Sequence, residues 1–113
     1  MEPKYYESHV TIEPVFGERL HLFEQTCSQF GYKVAKLLMQ KDRESVPERS
    51  NKDSFCTGHS NDFDDLMKRM DNLHYFLRVR GFEVYRCKIE AILVDERYGS
   101  NGKKSTQLDV SSG

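Results

Sequence analysis

The sequence carries no surplus of charge of either sign: 17 basic residues stand against 18 acidic ones, a net charge of −1. Proteins that grip nucleic acid through its phosphates show a strong basic excess, so nucleic acid is not an expected partner. There is no run of 18 apolar residues, so no membrane-spanning helix and no membrane partner are expected. The opening MEPKYYES lacks the basic-then-apolar pattern of a secretory signal, and Glu2 does not fit N-myristoylation. Cysteine is scarce. Cys27, Cys56 and Cys87 are odd in number and widely spaced, with no C-x-x-C pair and no zinc spacing. Free thiols in a reducing, cytoplasmic setting are the expectation. A Gly-rich phosphate loop, a Walker motif and an internal repeat are all missing, and no residue pattern names a cofactor, which stays unknown.

What is present is one domain's worth of chain, 113 residues. Residues 99–113, GSNGKKSTQLDVSSG, hold few large apolar groups. Burial there cannot offset the entropy of ordering, which predicts a domain over 1–98 and a disordered C-terminal tail over 99–113. Residues 41–53 are almost all polar and include Pro47, as in a long mobile loop.

The remainder is patterned. Over 5–14, Tyr6, Ser8, Val10 and Ile12 alternate with Tyr5, Glu7, His9, Thr11 and Glu13, the period of a half-buried strand. Over 18–30, Leu20, Phe23, Cys27 and Phe30 form a helical stripe, with Gly31 as its stop. An apolar run over 32–40 has strand length. Phe63, Leu66, Met67, Met70, Leu73 and Leu77 repeat at three and four, the pattern of a second helix. Ser60, Asn61 or Asp62 would cap its start, and Gly81 would end it. Over 83–95, Tyr85, Cys87, Ile89, Ala91 and Leu93 alternate with Val84, Arg86, Lys88, Glu90 and Ile92. With a short strand at 54–57, the order becomes βαββαβ. That predicts an α+β, ferredoxin-like domain, an antiparallel sheet with two helices on one face. If 54–57 is only loop, the sheet has three strands.

HVTIEP on the first strand, TGHS before the second helix and GFEVYRCKIE on the last together resemble a family of small, uncharacterised α+β proteins. The resemblance covers about residues 5–97 and implies the fold but no reaction. A thinner similarity is to two-histidine phosphoesterases, which carry a His-x-Thr/Ser motif twice. His9-Val10-Thr11 matches once, whereas His59-Ser60-Asn61 breaks the spacing.

Strand parity places Glu7, His9 and Thr11 on the helix-free face beside Arg86, Lys88 and Glu90. These residues can form a polar pocket, with His9 as acid or base and the cations holding a small anionic ligand. A solvated sheet face with cross-strand charge pairs displays the same residues. Thr57-Gly58-His59-Ser60-Asn61 offers a second candidate: a glycine turn and helix amides for an anion, aided by His59 and Ser60. Asp62, Asp64 and Asp65 oppose it by repelling an anion. The inferred topology brings His59 near Glu7 and His9, with Glu90 flanking, a set chemically suited to a metal although no ligand spacing demands one. His21 and His74 read as structural, Cys27 and Cys87 as core thiols, and Cys56 as more exposed. Two function classes follow. One is a binding or assembly module using the open face, with a homodimer through Val84 and Ile92 among its partners. The other is a small enzyme acting on a phosphate-containing or nucleotide substrate through His9, Thr11 and His59.

Overall fold

The computed structural model describes residues 3–35, 53–94 and 105–112; for Val94 and for 105–112 the backbone alone is described. The chain is α+β. Strand β1 (Tyr5–Ile12) leads to helix α1 (Gly17–Gln29) and to a short β2 (Lys33–Val34). Strand β3 (Ser54–Ser60), helix α2 (Phe63–Val79), β4 (Val84–Val94) and β5 (Ser105–Ser112) follow. Among the described residues the strands form one antiparallel sheet in the order β2-β3-β1-β4-β5. This is compatible with a ferredoxin-like arrangement. No helix among the described residues is long and apolar enough to cross a membrane.

Alternation in β1 sends Ser8, Val10 and Ile12 to full burial. Their register partners Gly58, Cys56 and Ser54 on β3, and Ile89 and Cys87 on β4, share that face. Leu20, Phe23 and Cys27 of α1 and Leu66, Met70, Leu73 and Leu77 of α2 close over it in one cluster. Both helices end as the glycines predict. Gly31 and Gly81 adopt φ +75° and +89°, and the amides of Tyr32 and Phe82 return to the carbonyls of Cys27 and Leu77. Asp62 caps α2, its carboxylate accepting from the amides of Asp64 and Asp65 at 2.9 and 3.4 Å.

Tyr32, buried in this core, explains Gly58. Its ring lies where a Cβ on Gly58 would come within 2.9 Å, and its hydroxyl donates to Ser8 Oγ at 2.6 Å. The glycine therefore sits inside a strand to admit an aromatic ring, not to shape a loop.

Four expectations are corrected. The strand expected over 54–57 runs to Ser60, so Thr57 to Ser60 are ladder rather than loop. Cys56 is fully buried, its Sγ 3.8 Å from the Val10 carbonyl. In β4 the register slips by one residue between Thr11 and Ile12 of β1, so that Arg86 faces Thr11 but Val84 faces Ile12. This bulge turns Val84 to the core and leaves Tyr85 exposed, reversing the expected parity of both. Finally, Ser105–Ser112, expected within a disordered tail, pair antiparallel with β4 from Val94 to Lys88. The backbone N–H and C=O groups along the edge of β4 are a ready template for such pairing. The expected loop over 41–53 and the expected strand over 36–40 fall outside the described residues apart from Asp53.

Candidate functional site: the open face of the sheet

The helix-free face is assembled by register. One cross-strand row runs His59, Glu7, Glu90; the next runs Thr57, His9, Lys88; the third runs Phe55, Thr11, Arg86. Glu7 sits at the centre of the first row and engages both histidines. Its Oε1 lies 2.7 Å from His9 Nε2 and its Oε2 lies 3.2 Å from His59 Nε2. An ionised carboxylate only accepts, so each Nε2 carries the shared hydrogen. In neutral His9 the Nδ1 then accepts from the Thr57 hydroxyl, at 3.3 Å. The imidazole of His9 is thereby fixed at both nitrogens and three-quarters covered. His59 is held differently. Its ring stands 5.7 Å from that of Tyr5, Arg69 on α2 donates to its carbonyl, and its side chain is half-exposed.

Across β1, Glu90 lies directly opposite Glu7. Its side chain is 5% exposed, and Oε1 forms an ion pair with Lys88 Nζ. Oε2 is buried and has no hydrogen-bond partner among the described residues. Leaving such an oxygen unpaired costs about 1–3 kcal/mol or more for a charged group, so Glu90 is a place where stability has been given up. Glu7, His9, Thr11, Phe55, Arg86, Lys88 and Glu90 line an open depression of about 380 Å³ on this face.

Six of the eight expected site residues thus surround one depression: Glu7, His9, Thr11, Arg86, Lys88 and Glu90. His59 joins them through Glu7. Ser60 does not. It pairs with Tyr6, whose alternation belongs to the core face, and its Oγ accepts from the Asp62 amide at 3.0 Å. The helix-amide anion site also dissolves, because Asp62 already occupies the amides of Asp64 and Asp65. Among the described residues no group of three His, Cys, Asp or Glu is arranged to hold a metal ion; in the expected His–His–Glu set the imidazole nitrogens turn onto the carboxylate itself. Ile92, expected as an exposed apolar member of this face, is 2% exposed. Phe55 and Thr57 belong to the site and were not foreseen. Their signal was parity: once β3 continues to His59, every second residue from Phe55 must share its face.

No protein-family model matches the chain, and no curated protein or solved structure does.

Proposed function

We propose that this protein is a binding module of ferredoxin-like βαββαβ type, extended by a fifth strand, whose open sheet face takes a small anionic ligand. The depression over Glu7, His9, Arg86 and Lys88 carries this reading. It is an open depression in which polar groups converge from two strands. Its cations stand at successive same-face positions of one strand, about 6.6 Å apart, close enough for both to serve one anion. An assembly role through the same face is less well supported. Val84 faces the core and Ile92 is covered, which removes the apolar members a homodimer would bury. Three buried thiols suit a reducing, cytoplasmic setting.

One observation favours an enzymatic reading as well. His59 presents a half-exposed imidazole backed by a carboxylate, the arrangement that orients a general acid or base. His9, with both ring nitrogens engaged, is the poorer candidate for that role.

Titration calorimetry with inorganic phosphate and with ethyl phosphate tests the binding reading. Saturable binding, weakened at least tenfold by Lys88→Ala, is expected. Heats that do not saturate at millimolar phosphate would overturn it. Light scattering on the same sample reads the dimer, and hydrolysis of a chromogenic phosphodiester, lost in His59→Ala, would move the assignment to an enzyme.

A further inference from the structure

The geometry points to a ligand that is not a bare anion but an anion carrying a hydrogen-bond donor, an amino or hydroxyl group, a short linker away. This rests on the anion-binding reading above and specifies its ligand class. Two observations lead to it. Glu90 is a carboxylate at the rim of the depression with one oxygen spent on Lys88 and the other buried without a partner among the described residues. Its cross-strand neighbour is a second carboxylate, Glu7. Like charges placed directly opposite repel, and a buried acceptor without a donor is costly. A carboxylate or a dianionic alkyl phosphate set against Arg86 and Lys88 would add negative charge beside Glu90 and Glu7 and would leave Oε2 without a donor. A cationic or hydroxyl donor on the same molecule relieves both at once.

Spacing supports the pairing. Arg86, Lys88 and Glu90 occupy alternate positions on one face of β4, so Lys88 stands about 7 Å and Arg86 about 13 Å from Glu90 along the strand. The Lys88 ammonium already meets Glu90 Oε1, so from an anion held by Lys88 a two-carbon linker is long enough to bring an amine to the same carboxylate. The site therefore selects zwitterions or hydroxylated anions of small size over simple phosphates and over long ligands.

The test uses the full chain and three probes: ethyl phosphate, 2-hydroxyethyl phosphate and phosphoethanolamine. They share the anion and differ in the terminal methyl, hydroxyl or ammonium. Calorimetry should show phosphoethanolamine binding at least tenfold more tightly than ethyl phosphate, with the hydroxyl compound between them. The Glu90→Gln variant, checked for folding by circular dichroism, should bind ethyl phosphate at least as well as the parent and lose the preference for the ammonium. Equal affinity for all three probes in the parent protein would overturn the inference and leave the anion reading intact, since water alone would then satisfy Glu90. A preference that survives Glu90→Gln would also overturn it. Failure of every probe to bind would instead overturn the anion reading. The comparison among probes needs no variant, so it decides the matter even if Glu90→Gln does not fold.

Discussion

Glu7 and Gly58 act through opposite faces of the same pair of strands. Glu7 holds two imidazoles, and His9 returns the bond while also meeting Thr57. Replacing His9 with alanine removes one contact to a carboxylate and one to a hydroxyl at a partly exposed position. A loss of about 1 kcal/mol is expected, readable as a shift in the urea midpoint. Gly58 offers a sharper case. A Cβ there meets the flat of the Tyr32 ring at 2.9 Å, and that ring is pinned by its hydroxyl to Ser8. Gly58→Ala should therefore cost about 1–3 kcal/mol despite adding one methyl, and thermal denaturation will show it. Shrinking the ring as well, in Gly58→Ala with Tyr32→Leu, should cost less than the sum of the two single changes. Neither contact can be seen from one residue type in sequence. Alternation alone placed His9 on the right face, and the inferred topology brought His59 near it, but Gly58 reads as a turn until its distant partner Tyr32 is known.

At the scale of elements, α2 is the strongest member of the core. Leu66, Met70, Leu73 and Leu77 are all buried against β1, β3 and β4. Leu73→Ala should cost about 2–5 kcal/mol in chemical denaturation, the range for a leucine truncated in a core. Ending the chain after residue 98 tests β5. Its loss frees the backbone groups of β4 from Lys88 to Val94, and each kcal/mol forfeited lowers the melting temperature by roughly 4–8 °C for a domain of this size. An unchanged melting temperature would mean that the pairing contributes nothing. The helices were legible because their stripes obey a simple period and their glycines stand where the stripes stop. β1 and most of β4 were legible for the same reason. β5 was not, because Leu108 and Val110 are the only large apolar residues of Ser105–Ser112, too short an alternation among polar residues to announce a strand; the edge of β4 supplies the template. The end of β3 was missed because Gly58 and Ser60 are residues that turns prefer, and tertiary packing of Tyr32 overrode that preference.

Across the whole molecule, the buried sulfhydryls and the buried phenol make the fold sensitive to alkali. Burial, with Asp71 as the second influence, pushes the Cys87 thiol up to about 11 from its ordinary value of 9.0. Burial also raises Cys56 well above that value, and Cys27 adds to the shift; burial likewise raises Tyr32 above its ordinary range. Above pH 9 the unfolded chain releases these protons while the folded chain keeps them, so the unfolded state binds fewer protons and stability falls as pH rises. The contribution is complete below about pH 9 and is lost as pH climbs through 11. Cys87 alone accounts for about 2–3 kcal/mol of this. Urea melts at pH 8 and pH 10.5 should differ accordingly, and the difference should shrink in Cys87→Ala. If alkali leaves stability level, these thiols are not held protonated by the fold.

The extra residue in β4 has a consequence for the shape of the face. With Val84 opposite Ile12 and Arg86 opposite Thr11, Tyr85 is the one member of the strand with no opposite number. A bulge of this kind bends its strand and tightens the local twist. It lies at the Arg86 end of the depression, so part of the curvature that makes a cup of an otherwise level surface is traceable to Tyr85. The identity of the lining residues does not depend on it. Removing Tyr85 would leave Arg86, Lys88 and Glu90 opposite the same residues of β1, on a straighter ladder. The face thus keeps its chemical lettering separate from its concavity: a change of one residue in length can reshape the vessel while every group that lines it stays in its row.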